Sequence, residues 1–281
     1  MKTIAFFTLL MLTALASASA QKTLTIQYFQ YPGSTQTYVT GVSNTGVVLG
    51  YYLDSNSNSH GFSMAKGQFS SIDDPDGTST TPTGVNSSGT IVGYYFSSGL
   101  NSWLAFSYSN GTFSTIGPDA GCINTYAFGI NDLGEMAGEC ETASLLEGWI
   151  YTGGQYQILS VPGSDWSYAS DINVHGLTTM IWNKAGSNRV QSSIYDGTTF
   201  RNIDEPNKFN TYAWAINAAG SVALSWTSGD SGYGALLIGK TYTNIQPTKC
   251  GSTQLTGIND KGVAVGMCGV GSFVYGMYVN Y

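Results

Sequence analysis

One six-residue motif recurs along the chain, and its clearest copy is Gly129-Ile130-Asn131-Asp132-Leu133-Gly134. The first residue of the motif is small in every repeat except the fourth. A branched apolar residue follows, then Asn or Ser, two variable residues and Gly. The branched residues are Val42, Val85, Ile130, Ile172, Ile216 and Ile258. They lie 42 to 45 residues apart, and a nearly fixed period of this length indicates a repeat architecture.

Each repeat is predicted to form four antiparallel β-strands. Asn at the third position of the motif and Gly at the sixth favour a type I turn, which closes a hairpin. The first strand leads into this turn, as at 125–131, and the second follows it, as at 135–140. The third and fourth strands come after a polar loop, as at 104–109 and 112–116. Proline cannot donate to a sheet ladder, and it marks the end of the fourth strand at Pro75, Pro118, Pro162, Pro206 and Pro247.

Four short strands in a repeat of about 43 residues are typical of one blade of a β-propeller. A solenoid is the main alternative, but it would leave both end strands unpaired. The sixth repeat has only three strands before Tyr281, whereas residues 24–29 followed by Pro32 match a fourth strand and its proline. We therefore predict an all-β fold, a six-bladed β-propeller with four-stranded blades, in which the N-terminal strand closes the ring.

The four cysteines occupy matching positions in two repeats. Cys122 and Cys250 lie 8 residues before the branched residue, and Cys140 and Cys268 lie 10 residues after it. Four cysteines allow three pairings, and the matching positions favour Cys122–Cys140 and Cys250–Cys268. Each bond would join the start of a first strand to the end of the second strand. Metal binding is the alternative, but no histidine or Cys-x-x-Cys pair accompanies these cysteines.

The first 20 residues are predicted to be a signal peptide. Lys2 precedes an apolar stretch at 4–15, and Ala18-Ser19-Ala20 matches the small-x-small pattern of signal peptidase sites. A transmembrane anchor is the alternative, but the stretch is shorter than the roughly 20 residues that span a bilayer. We therefore expect export, to the periplasm or outside the cell, and a single propeller domain over residues 21–281.

The charge of the chain disfavours two kinds of partner. The chain has 10 Lys and Arg against 17 Asp and Glu, which gives a formal net charge of −7. Nucleic acids and anionic membrane surfaces bind basic patches, and no basic cluster occurs in the sequence. We expect a monomer with no cofactor and no metal, which neither binds nucleic acid nor inserts into a membrane.

The motif resembles the repeat of a known family of secreted bacterial proteins. It is followed by third strands with His60-Gly61-Phe62 or Leu104-Ala105-Phe106, similar to the extracellular HAF family, which is named for a His-Ala-Phe triplet. The resemblance covers essentially the whole mature chain, although the third strands of repeats four and five lack the triplet. It implies a secreted bacterial propeller and implies no particular reaction.

The candidate functional residues lie on one face of the predicted propeller. In a propeller the first strands line the axis. One face, which we call the long-loop face, carries the second-to-third and fourth-to-first connections, and the tight-turn face carries the Asn-x-x-Gly turns. Function is common in loops on a rigid scaffold. Aromatic rings and carboxylates suit a sugar ligand, and the candidate binding residues are Asp76, Asp119, Asp165, Trp166, Asp171 and Trp214.

The position of a residue within the repeat helps to separate a binding role from a structural one. Trp166 has no counterpart in the other repeats, which favours binding. The tyrosines four residues before the branched residue recur, which favours packing between blades. Asp171 stands where the other repeats have Gly or Ala. A carboxylate beside the axis can hold a cation or a substrate, but hydrogen bonds from neighbouring amides are the more usual explanation.

Few features of the sequence suggest an enzyme. His175 lies in a tight turn and His60 belongs to the repeat, so neither is placed beside a nucleophile. Glu139 and Glu141 would suit glycoside hydrolysis, but we favour solvation of a loop as the role of Glu139. We therefore predict no catalytic residue. The hypothesis is a non-catalytic propeller that recognises a glycan or an extracellular protein through its long-loop face. The alternative is a polysaccharide lyase or hydrolase with carboxylates at the channel mouth.

Overall fold

The computed structural model describes residues 24–118, 121–229 and 231–281. In these residues the chain forms six antiparallel sheets of four strands each, which are the blades of a β-propeller. The predicted fold class is therefore confirmed. The predicted signal peptide lies outside the described residues. No helix in the described parts of the chain is long and apolar enough to cross a membrane.

The strands follow the chain blade by blade, except for the first, β1 (Thr25–Phe29). Blade 1 contains β2 (Thr37–Val42), β3 (Val48–Leu53), β4 (Ser59–Ala65) and β5 (Gln68–Ser71). Blade 2 contains β6 (Thr80–Val85), β7 (Ile91–Ser97), β8 (Ser102–Ser109) and β9 (Thr112–Ile116). Blade 3 contains β10 (Asn124–Ile130), β11 (Met136–Glu141), β12 (Leu146–Thr152) and β13 (Gln155–Leu159).

The remaining blades have the same order of strands. Blade 4 contains β14 (Ser164–Ile172), β15 (Thr178–Lys184), β16 (Val190–Tyr195) and β17 (Phe200–Asn202). Blade 5 contains β18 (Asn210–Ile216), β19 (Val222–Ser228), β20 (Ser231–Ile238) and β21 (Thr241–Ile245). Blade 6 contains β22 (Ser252–Ile258), β23 (Val263–Val270) and β24 (Phe273–Asn280). Its fourth strand is β1.

The N-terminal strand closes the ring, as predicted. β1 runs antiparallel to β24, with pairs from Thr25–Asn280 to Phe29–Gly276. The Phe29 ring lies over Gly276, where a Cβ atom would collide with it, and its centroid is 5.2 Å from that of Tyr278. The last blade is thus built from both ends of the chain.

The first strands crowd around the axis and need small residues there. Each has a β-bulge at the same place, for example between Val39 and Gly41 in blade 1. A Cβ atom on Gly84 would lie 3.1 Å from backbone atoms of the next blade. The residue three before the branched one is buried between blades, and five of these side chains are 0% exposed: Val39, Ala127, Ala169, Ala213 and Leu255.

The Asn of the motif connects each of blades 2 to 6 to the next blade around the ring, whereas blade 1 has Ser43 at this position. Its side-chain oxygen accepts hydrogen bonds within its own turn, as from Lys261 and Val263 to Asn259. Its amide nitrogen donates to a backbone carbonyl of the next blade, as from Asn259 to Ser43 at 3.0 Å. Corresponding bonds leave Asn86, Asn131, Asn173 and Asn217. Such a bond contributes about 1 kcal/mol net, so this belt adds a polar component to apolar packing between blades.

Both predicted disulfides are confirmed. Cys122 is bonded to Cys140 and Cys250 to Cys268, each across 18 residues. In each case the first cysteine lies just before a first strand and the second lies in the neighbouring second strand. The bonds therefore fix the inner edge of blades 3 and 6 at the long-loop face.

Candidate functional site

The first strands enclose a central cavity of about 340 Å³. This volume is in the range of small-molecule sites, roughly 300–1,000 Å³. At the tight-turn face, Asn44 of blade 1 donates hydrogen bonds to Asp260 of blade 6 at 2.8 Å and to Asp132 of blade 3 at 3.3 Å. Because these bonds connect three blades, they narrow the channel at this end.

Aromatic side chains line much of the rest of the cavity. They are Tyr38, Tyr51, Tyr94, Phe128, Tyr168 and Trp214. Some of them come from paired positions on neighbouring strands of one blade, since Tyr38 and Tyr51 are cross-strand partners with ring centroids 4.8 Å apart. Burial raises the pKa of the Tyr51 and Tyr168 phenols well above the usual range. These phenols therefore stay protonated and neutral at physiological pH.

In two blades an aromatic ring occupies the position at which the other four blades have a hydroxyl group that bonds to the next blade. Two residues before the branched position, blades 1, 2, 4 and 6 have Thr or Ser. There the hydroxyl donates to a carbonyl of the next blade, as Thr40 does to Pro82 at 2.7 Å. Blades 3 and 5 have Phe128 and Trp214 instead, and both rings line the cavity. The Trp214 indole nitrogen donates to Ser225 of its own blade at 2.6 Å.

The rings continue from the cavity toward the long-loop face. The Phe128 and Tyr168 centroids are 5.4 Å apart, and the Trp166 ring is nearly parallel to that of Tyr168 at 6.1 Å. Tyr126 packs edge-on against Tyr94 of the neighbouring blade at 5.0 Å. The recurrent tyrosines therefore include one that packs between blades and others, such as Tyr168, that also line the cavity.

Asp171 places a carboxylate at the wall of the cavity. One oxygen accepts the backbone N–H of Ile172 and the other that of Ile216 in the next blade, both at 2.9 Å. A side chain on Gly129 of the preceding blade would collide with this carboxylate. Burial raises the pKa of Asp171 to about 7, although the two N–H groups oppose the rise. The neighbouring amides predicted as the alternative partners are thus present, and the carboxylate also faces the cavity.

Glu139 was expected to solvate a loop, and this expectation is wrong. The residue belongs to β11 and is only 9% exposed. Burial is the main cause that raises the pKa of the Tyr94, Tyr126 and Tyr168 phenols, and the nearby charge of Glu139 raises each pKa further. Burial, together with the nearby charge of Glu141, raises the pKa of Glu139 to about 7. A buried carboxyl group therefore lies behind the aromatic wall of the cavity.

The structure brings together only some of the predicted binding residues. Trp214 and Asp171 line the cavity, and Trp166 stacks on a ring that lines it. Asp76 and Asp165 are exposed outside it, and Asp165 accepts a hydrogen bond from the backbone of Gly186. Asp119 lies outside the described residues. Within the described residues, His, Cys, Asp and Glu side chains form no group of three that could hold a metal ion.

Comparison with known proteins adds support for the fold. No protein-family model matches the chain, and no curated protein does. The β-propeller domain of the Trilobed protease from Pyrococcus furiosus, described as having an open velcro topology, is similar with 11% identity and a TM-score of 0.55. The match covers 87% of this chain and 95% of that one. The fold is a six-bladed propeller.

Two further solved propellers have different activities. The Aleuria aurantia lectin, a six-bladed β-propeller that recognises fucose, has 9% identity and a TM-score of 0.53, with 87% of this chain and 91% of that one covered. Virginiamycin B lyase from Staphylococcus aureus has 13% identity and a TM-score of 0.52, with 92% of this chain and 100% of that one covered. At such identities the likeness shows the fold alone, and it is compatible with binding or catalysis.

Two rings that line the cavity, Tyr51 and Tyr94, and the carboxyl group of Glu139 behind its wall were not among the predicted binding residues. All lie nine residues after the branched residue of their repeat, where the other blades have Ile181, Ser225 and Met267. Glu139 is the charged member of this set. This signal is visible when the second strands are aligned by the motif, since the other five residues at this position carry no charge at neutral pH.

Proposed function

We propose that this chain is a secreted, non-catalytic binding propeller of the HAF type, which holds a carbohydrate in its central cavity. The aromatic wall of the cavity is the observation that carries the proposal. Apolar faces of sugar rings pack on aromatic side chains, and complete burial of an aromatic side chain contributes about 1.5–3 kcal/mol. The exported destination follows from the predicted signal peptide, and the two disulfides fit an oxidising compartment.

The cavity also offers hydrogen-bonding groups for sugar hydroxyls. Gln254 lines it and makes no side-chain hydrogen bond to another described residue, so its amide can both donate and accept. Asp171 uses two of its roughly four acceptor positions for backbone N–H groups. Because Asn44 narrows the tight-turn end, a ligand would enter from the long-loop face and pass Trp166.

The test replaces Trp214 by the residue that three other blades carry at its position. Trp214→Thr removes the ring, and the new hydroxyl can donate to the next blade, as Thr256 does to Val39 at 2.8 Å. The variant is therefore expected to fold. We expect binding of a glycan identified on a glycan array to weaken about tenfold or more in calorimetric titration, since loss of a packed ring removes at least about 1.4 kcal/mol.

Ser170→Thr is the matched control, because it changes the same position of blade 4 but retains the hydroxyl that donates to Ala213. It should bind as the unaltered protein does. Trp166→Ala should weaken binding less than Trp214→Thr. A protein that binds no glycan or cell-wall polysaccharide, or a Trp214→Thr variant with unchanged affinity, would contradict the proposal. An extracellular protein captured on the long-loop face would replace the glycan as the partner.

A second candidate function is cleavage of a polysaccharide. The observation in its favour is that the Asp171 carboxyl group lines the cavity and that of Glu139 is buried behind the aromatic wall, and burial raises the pKa of each to about 7. General acids work best when their pKa is close to the working pH, and glycoside hydrolysis uses paired carboxyl groups. Release of reducing ends or unsaturated products from polysaccharides, abolished by Glu139→Gln or Asp171→Asn, would establish this activity. Complete inactivity would leave the binding function.

A further inference from the structure

The charges around the cavity all have one sign. The charged side chains that line it are Asp132, Asp171 and Asp260, and among the described residues no Lys, Arg or His lines it. None of these carboxylates forms an ion pair with a basic side chain of the described chain. Burial opposes ionisation of Asp132, but hydrogen bonds from Ser87 and Asn44 together outweigh burial and lower its pKa, so this group is ionised at neutral pH.

The uncharged part of the wall strengthens the same preference. Aromatic rings carry negative potential on their faces and attract cations, most strongly where water is excluded. Phe128, Tyr168 and Trp214 come from three successive blades, and Asp171 lies on the middle one. A cavity lined by both a carboxylate and aromatic rings suits an organic ammonium group.

We propose that the ligand of this cavity carries a positively charged ammonium group, with Asp171 as its counter-ion and the surrounding rings as its cage. The inference rests on the proposed binding function and narrows its ligand from glycans in general to amino sugars with a charged nitrogen. Fully acetylated or otherwise neutral sugars would occupy the same cavity with lower affinity.

The test compares two oligosaccharides that differ mainly in charge. One is an N,N,N-trimethyl chito-oligosaccharide, whose quaternary nitrogens are charged at every pH, and the other is the N-acetyl chito-oligosaccharide of the same length. At pH 8, calorimetric titration should show at least about tenfold tighter binding of the charged probe. Equal binding of both probes would overturn the inference and leave the proposed function intact. If the protein binds neither probe and no other glycan, the proposed function itself is contradicted.

Variants of Asp171 test the assignment of the counter-ion. Asp171→Asn should remove the preference for the charged probe, whereas Asp196→Asn makes the same change of net charge in an exposed turn and should retain it. If the first variant does not fold, Asp171→Gly, which introduces the residue of four other blades, replaces it. A preference that survives in the folded variant would refute the role of Asp171.

The pH profile separates Asp171 from its titratable neighbours. Burial raises its pKa to about 7, so binding of the quaternary probe should strengthen from pH 5.5 to pH 8.5. Titratable groups that line the cavity with Asp171 are Tyr38, Tyr51, Tyr94, Tyr168, Asp132 and Asp260. The strands packed against β14 also carry Lys184, Glu139, Glu141, Glu147, Tyr126, Tyr151 and Tyr212. Glu139 titrates in the same range, because burial also raises its pKa to about 7. The pH dependence should persist in Glu139→Gln and vanish in Asp171→Asn, and the reverse result would overturn the assignment.

Discussion

Glu139→Gln should stabilise the protein at alkaline pH and have little effect at acidic pH. The carboxyl group is 9% exposed and has no side-chain hydrogen bond to another described residue, so the amide loses no partner that the acid had. Burial, with a contribution from the charge of Glu141, raises its pKa from an ordinary 4.5 to about 7. The folded state therefore holds the Glu139 proton over a pH range in which the unfolded chain has released it.

The sign of the effect follows from this difference. The protonated carboxyl group favours folding below pH 4.5, and this contribution is lost as the pH rises through about 7. Each pKa unit corresponds to about 1.4 kcal/mol, so ionisation of Glu139 should destabilise the fold by about 3 kcal/mol at pH 8.5. Such a change equals about 5–10 °C in the melting temperature of a domain of this size.

The assay is urea unfolding of both proteins at pH 5 and pH 8.5, with the disulfides intact. The advantage of Glu139→Gln in free energy of unfolding should grow by about 3 kcal/mol between these pH values. Glu147→Gln is the control, because this residue lies on the next strand of the same blade and accepts a hydrogen bond from Ser160 near the surface. An advantage that is equal at the two pH values, or a variant that is less stable at pH 8.5, would refute the reasoning.

Three further predictions concern the scaffold, each measured by urea unfolding at pH 7. Replacing both Cys122 and Cys140 by Ser should cost about 3 kcal/mol, because it frees the unfolded chain of an 18-residue link; no loss would contradict the contribution of this bond. Asn259→Ser should cost about 1 kcal/mol through the lost bond to Ser43, and Asn259→Ala about 2 kcal/mol because the turn also loses its acceptor. Equal losses of stability in the Ser and Ala variants would contradict the contribution of the acceptor within the turn. Gly138→Ala should cost about 1–3 kcal/mol, since its Cβ would collide with the Tyr126 carbonyl and the Trp149 ring, whereas Gly99→Ala, with no atom within 4 Å, should be neutral. Similar effects of the two alanines would contradict the packing described for β11.

Much of the fold could be predicted because local signals repeat six times. The type I turn chemistry of Asn and Gly fixes where each first strand ends, and the period fixes the remaining strands. The predicted strand at 112–116 coincides with β9, Thr112–Ile116, and that at 135–140 differs from β11, Met136–Glu141, by one residue at each end. Ring closure followed from counting strands at the two ends of the chain.

The functional side chains were harder to predict, because they depend on contacts between blades. β11 is buried on both faces, so the alternation of polar and apolar residues that marks a surface strand is absent. Glu139 therefore resembled a residue at the edge of a loop. Asp171 was recognised as irregular, but its fit depends on Gly129 in one neighbouring blade and on the N–H of Ile216 in the other.

The most direct test of ligand binding in the central cavity is a crystal structure of the protein over residues 21–281, grown with the trimethyl chito-oligosaccharide. We expect density for a sugar residue packed on Trp214, with a quaternary nitrogen next to the carboxylate of Asp171. An oligosaccharide bound on the outer edges of the blades, with only ordered water in the cavity, would contradict the account.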